Sequence, residues 1–173
     1  MANNRITIQN AEIIWKNFAG AQKKFNKEGE RSFTVVLKPS NDEEHPLMIN
    51  ESKITSYEDL AVIVPSMLDA GWNIKVKMPE TEGEPPFITL PVKVSYENFA
   101  PKVWLVHNGV RQLLDEDTVS NLDDVSLKYC DMQINPYHWS INGDSGIKAY
   151  LNQLYAILDP EDIAAKYANI GVN

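Results

Sequence analysis

Aromatic rings and cations recur side by side along this 173-residue chain. Trp15 and Lys16 stand near Phe18. Lys23 and Lys24 precede Phe25, with Lys27 close behind, and Arg31 stands by Phe33. Trp72 leads to Lys75 and Lys77, and Tyr137 and Trp139 precede Lys148 and Tyr150. The chemistry that these types support is stacking combined with charge neutralisation. A ring face holds an unpaired base, worth about 1–3 kcal/mol per base, while ammonium and guanidinium groups follow the phosphates. Packing competes for the same residues. Phe33 and Trp72 begin or sit within alternating stretches, where a large aromatic is core material. Phe25, flanked by "QKK" and "NKEGE", has no apolar neighbours to bury with and reads as an exposed loop aromatic. Lys75 and Lys77 are two residues apart on one strand, so they emerge on one face, as a short basic stripe or an ordinary solvated face.

Charge is unevenly spread. The chain carries −8 in all, yet residues 1–38 hold seven Lys/Arg against three acids, a balance of +4, which leaves −12 on the other 135 residues. Five acids (Asp115, Glu116, Asp117, Asp123 and Asp124) fall within one ten-residue stretch. A basic face for phosphates and an acidic face can therefore coexist on an acidic protein, although segregation of solvated charge alone would look the same.

Catalytic chemistry has less to work with. His45, His107 and His138 are scattered without metal-ligand spacing, and Cys130 has no cysteine partner. No glycine-rich phosphate loop, nucleophile elbow or paired-histidine metal helix occurs. The Asp115/Asp117 and Asp123/Asp124 pairs read as hydrated loop acids rather than a cation site. The expectation is a protein that is not an enzyme and needs neither cofactor nor metal. No apolar run approaches the roughly 18 residues of a membrane span, and "MANNRITIQN" lacks the layout of a secretory signal. With a single cysteine there is no intrachain disulfide, and the expected compartment is the cytoplasm.

The elements that must position these residues are mostly strands. "RITIQNAEIIW" is a β-branched strand with an irregularity at Asn10, followed by a long basic loop and a second strand, "RSFTVVLKP". "NDEEHPLMINESKITS" shows no period and reads as irregular. "SYEDLAVIVPSMLDAGW" reads as a helix capped by Ser56 and Gly71 and bent or broken at Pro65. "WNIKVKM" alternates, and "FITLPVKVSY" alternates with a proline at 91 that favours an edge or irregular strand over a regular central one. Asn108-Gly109 predicts a hairpin inside "PKVWLVHNGVRQLLD", and "DEDTVSNLD" predicts one or two helical turns. A long strand, "VSLKYCDMQINPYHW", leads through "INGDSG" to "IKAYLNQLYAIL". That last run fits a helical stripe or a two-sided strand, and the preceding turn favours the strand. "PEDIAAKYANIG" predicts a C-terminal helix. No repeat or low-complexity linker divides the chain, so a single domain over 1–173 is expected, built as a small closed barrel or sandwich.

"INPYHWSINGDSGIKAYLNQLYAIL", with "ITIQNAEIIWKNFAG", "GWNIKVKMPE" and "FITLPVKVSY", resembles the single-stranded DNA-binding proteins of tailed bacteriophages, in patches over most of the chain. The resemblance implies an OB fold, a mostly β five-stranded Greek-key barrel with extra hairpins and two or three short helices. It implies largely sequence-independent protection of single-stranded DNA in phage replication and recombination, in the cytoplasm of the bacterial host. Single-stranded DNA would be the partner, with replication or recombination proteins as possible further partners and no membrane. Asn135 to Trp139 would approach the binding groove and Gly143 to Gly146 would turn into the next strand; alternatively, Tyr137 and Trp139 plug a barrel end. The nucleic-acid-binding set is then Lys16, Lys23, Lys24, Phe25, Lys27, Arg31, Lys75, Lys77, Tyr137, Trp139, Lys148 and Tyr150. The last ten residues, "AAKYANIGVN", depart from the acidic tails through which proteins of this broad type recruit partners, so tail-mediated recruitment does not carry over. The competing expectation is a non-catalytic structural or protein-interaction module, a virion or scaffold component.

Overall fold

Isoleucine and valine alternate with polar residues through much of the chain, and most of these stretches form strands. The computed structural model describes residues 5–21, 29–97 and 100–159. Its elements in chain order are β1 (Ile6–Asn17), β2 (Arg31–Val36), β3 (Leu47–Ile49), β4 (Ser52–Ile54), α1 (Tyr57–Ala70), β5 (Lys75–Lys77) and β6 (Phe87–Val94). There follow β7 (Lys102–His107), β8 (Val110–Leu114), a 3-10 helix (Val119–Asp124), β9 (Leu127–Ile141) and β10 (Asp144–Leu158).

Five of these strands close on themselves. β1 pairs antiparallel with β2, and β2 antiparallel with β6. β6 runs parallel to β10, β10 antiparallel to β9, and β9 antiparallel to β1. A five-stranded ring in this order is the Greek-key barrel of the OB fold, and closure leaves its strands no open edge. The remaining strands extend the sheet outside the ring: β3 and β4 beyond β1, β5 beyond β6, and β7 and β8 beyond β10.

Period-two alternation fills the barrel. Phe33 and Val35 of β2, Leu90 and Val92 of β6, Met132 and Ile134 of β9, and Ala149 and Leu151 of β10 all point inward and are buried. Phe18 stacks on Phe33 at 5.3 Å between centroids. Each of the larger of these side chains, Ala149 aside, contributes about 1.5–3 kcal/mol when removed from water. Trp72 and Phe33 are core, in line with the alternation around them.

Helix α1 begins with a capping box, in which Ser56 Oγ accepts from Asp59 N while the Asp59 carboxylate accepts from Ser56 N. It ends at Gly71 in the left-handed conformation, and it runs through Pro65 as one helix, so of the bend or break expected there the break does not occur. The Gly71 carbonyl then accepts from Ile147 N at 2.8 Å, fixing the end of the helix to β10.

One other expectation needs correction. The stretch read as irregular holds the β3–β4 hairpin, with Leu47, Ile49 and Ile54 buried. Of the two alternatives that Pro91 offered, β6 is the irregular strand and not the edge strand: it pairs with β2 on one side and with β5 and β10 on the other. Proline is accommodated because β5 pairs only as far as Thr89 and β10 pairs only from Val92, so Pro91 falls where that side has no partner. The Asn108-Gly109 and Asn142-Gly143 turns both have positive φ at each residue, the type I′ geometry that asparagine-glycine favours. The long run after the second turn is strand, as its turn implied. The C-terminal helix expected over 160–171 lies outside the described residues.

Candidate nucleic-acid interface

Residues that do not point into the barrel point out of it, and the strand register determines which of them meet. Ser32 of β2 pairs with Lys93 of β6, Lys93 with Tyr150 of β10, and Tyr150 with Asn135 of β9. Cross-strand partners project to the same face, so these four form one row across four strands. In the adjoining row Lys148 pairs with Tyr137, and beyond it Gly146 pairs with Trp139. The outer face of β6, β10 and β9 thus gathers three aromatics and two lysines.

The rings are open to solvent to different degrees. Tyr137 is 55% exposed and lies 5.6 Å from Tyr150 between centroids, at 56° between planes. Trp139 and Tyr150 are half-buried, and Lys148 is exposed. Tyr137 is therefore no barrel plug: its strand neighbours Ile134 and Ile147 supply the filling, and the ring stands outside. A polar ladder steadies this end of the face. Arg5 Nε donates to Asn135 Oδ1 at 2.8 Å, Asn135 to Asn152 at 3.3 Å, and Asn152 to Gln133 at 3.2 Å.

Beside this face stands the root of the loop joining β1 and β2. Asn17 is buried, and its amide both donates to and accepts from the main chain of Ala21 at 2.9 and 3.0 Å. The Asp123 carboxylate accepts from Phe18 N and Ala19 N at 2.8 and 3.0 Å. Arg31 donates to the Phe18 carbonyl at 2.8 Å and to the Glu116 carbonyl at 3.1 Å, and its guanidinium lies 5.2 Å from the Tyr96 ring centre. Lys23, Lys24, Phe25 and Lys27 belong to the part of this loop outside the described residues.

Two expected cations are thus committed to the barrel's own carbonyls: Arg31, and Lys16, which donates to Val125 O at 2.5 Å. Arg31 still lines the cleft that holds Lys93, Tyr96 and Tyr150, together with Glu30, Glu97 and Glu116. Lys75 and Lys77 are exposed on β5, opposite Thr89 and Phe87 of β6. Lys93 escaped the sequence reading, although it is the one cation between valines in "PVKVSY" and its alternation already faced it outward. The clustered acids have structural work as well. Asp115 accepts from Thr118 N, Thr118 Oγ1 and Asp117 N at 2.9–3.0 Å, and these donors, the Thr118 side chain first, hold its carboxyl below the usual aspartate range.

In OB barrels, oligonucleotides lie against the face of the second and third barrel strands, between the loop after the first strand and the loop joining the last two. Here those parts are β2 and β6, the loop rooted on Asn17, and the Asn142-Gly143 turn. Lys93 stands on that face, Tyr150 borders it on β10, and Tyr137 and Trp139 lie at its margin.

Comparison with known proteins gives a consistent answer. The family model described as "Putative phage ssDNA-binding domain" matches residues 1–60 and 57–173. The solved single-stranded DNA-binding protein from bacteriophage Enc34 superposes with a TM-score of 0.54 at 15% identity, over 92% of this chain and 84% of that one. The same phage protein in complex with ssDNA superposes at 0.53 and 14% identity, over 92% and 89% of the two chains. At these identities the likeness speaks to the fold. No curated protein sequence matches. With the barrel closed in OB order and the family model matched from residue 1 to residue 173, the chain belongs to the phage ssDNA-binding domain family.

Proposed function

We propose that the chain binds single-stranded DNA, largely without regard to sequence, along the outer face of β6, β10 and β9, and so protects exposed strands in phage replication and recombination. The observation that carries this reading is the register that sets Lys93 beside Tyr150 and Lys148 beside Tyr137 on one outward face. Aromatics stack on bases whatever their identity, and lysines follow the backbone, so the arrangement suits any single strand. A duplex keeps its ring faces inside the stack and offers these side chains little. Lys23, Lys24, Phe25 and Lys27, between β1 and β2 in the sequence, are further members of the proposed contact set, and Lys75 and Lys77 extend it along β5. The chain works as one OB-fold domain over 1–173, without catalysis, in the host cytoplasm. Among the described residues no helix is long and apolar enough to cross a membrane.

The test is titration of intrinsic tryptophan fluorescence with a dT oligonucleotide of about 30 nucleotides, at low and moderate salt, with a duplex of equal length as control. Salt-sensitive quenching by the single strand and little response to duplex is the expected result. Absence of binding at low salt would reject the reading.

A further inference from the structure

Trp15 is an outlier in two independent respects. It lies on β1 where the pairing with β2 shifts register between Ile14 and Asn17, and its backbone is left-handed, with φ of 51°. A bulky residue in that region is strained, and strain of this kind collects where a side chain must be aimed for a purpose. Trp15 is also 68% exposed, more than any other Trp, Tyr or Phe among the described residues. Burial in the core is therefore not what the strain secures.

The strained backbone places the indole against a second exposed ring. Phe87, 39% exposed at the start of β6, meets it edge-on at 6.0 Å between centroids and 75° between planes. Edge-on contact leaves a ring face for a third flat group. Phe87 pairs directly with Lys77, and Thr89, two residues along β6, pairs with Lys75, so both exposed lysines project from β5 on the same face as Phe87. Lys77 and Phe87 also line a hollow with Met78, Glu80, Glu84 and Pro85. Phe87 precedes Lys93 by six residues on the same strand, about 20 Å at ~3.3 Å per residue.

We propose that Trp15 and Phe87, with Lys75 and Lys77 beside them, form a second base-stacking station for single-stranded DNA, distinct from the Tyr137–Tyr150 cluster. The inference rests on the reading of the outer barrel face as a DNA-binding surface. It adds that a bound strand spans that surface from the Asn142-Gly143 turn to the β5–β6 edge.

The test uses the full chain and a 5′-fluorescein-labelled dT oligonucleotide of about 30 nucleotides, followed by anisotropy. Trp15→Gly removes the ring and relieves the backbone, because glycine adopts positive φ freely. Phe87→Ala removes the second ring. Each variant is expected to bind about tenfold more weakly, the Trp15→Gly protein melting no lower than the parent. If the parent binds and both variants match it, the station does not exist and the wider reading survives. A Trp15→Gly protein that loses affinity and also melts lower would assign the indole to packing and overturn the proposal. If the parent itself fails to bind at low salt, the wider reading falls and takes the station with it.

Discussion

The indole of Trp139 occupies the space in which a side chain on Gly146 would stand: a Cβ there would lie 2.9 Å from the ring carbon Cζ2. The two residues are cross-strand partners on β9 and β10, and Gly146 has no positive φ, so room for the ring is what the glycine supplies. The small residue three positions past the turn thus fixes where an aromatic sits at the margin of the proposed interface.

Gly146→Ala should push Trp139 off its neighbour. Because the ring is only half-buried it can swing outward, and the cost should be about 1 kcal/mol, a fall of roughly 2–4 °C in melting temperature for a chain of this size. Differential scanning fluorimetry measures the fall, and a shift of the tryptophan emission to the red should accompany it.

Stacking and charge should separate in the salt dependence. Tyr137→Ala removes an exposed ring and should weaken dT binding by about 1–3 kcal/mol without altering the slope of log K against log[salt]. Lys148→Ala and Lys93→Ala should each reduce that slope by about 0.7, the single-strand value per phosphate contact. Titrations at four salt concentrations distinguish the two classes of variant.

Acid should destabilise the fold through its capping carboxylates. Asp59 is held below the ordinary 3.8, first by the Thr55 main-chain N–H at 2.8 Å and then by the Thr55 hydroxyl, with Ser56 N adding to them. A carboxyl depressed in the folded chain contributes stability that is fully present above its unfolded value, about 3.9, and is lost as pH falls through the folded one. Melting temperature should therefore hold between about pH 7 and 5 and drop below about pH 4. Asp59→Asn should melt lower at neutral pH and show a shallower acid limb.

Cys130 lies fully buried on β9, and burial pushes its thiol up to about 12. Such a thiol is neither ionised nor reachable at physiological pH. The native protein should not react with a thiol-exchange reagent at about pH 8, whereas denaturation should release its single thiol.

Much of the barrel was legible because period two survives in long strands. β9 and β10 run 15 residues each, and the Asn142-Gly143 turn between them chose strand over helix for "IKAYLNQLYAIL". The β3–β4 hairpin was not legible, since strands of three residues are too short to show a period. Pro91 left edge and irregular strand open, because a partner gap on one side of a strand is a tertiary fact. The interface was half legible. Tyr137, Lys148 and Tyr150 face outward by alternation, but their meeting with Lys93 depends on the parallel pairing of β6 and β10, which joins residues more than fifty positions apart. Arg31 looked like a phosphate ligand from its neighbours, and only the folded chain shows its guanidinium turned to the carbonyls of Phe18 and Glu116. Trp15 looked like one more strand aromatic, because a left-handed backbone leaves no trace in residue type unless the residue is glycine or asparagine.

The central claim is that single-stranded DNA lies on the outer face of β6, β10 and β9. Photo-crosslinking of the protein to a dT oligonucleotide carrying 5-iodouracil at successive positions, with the attached residues read by mass spectrometry, tests it most directly. The account predicts adducts at Tyr137, Trp139 and Tyr150. Adducts confined to the β3–β4 hairpin or the β7–β8 hairpin, with none at these three rings, would contradict it.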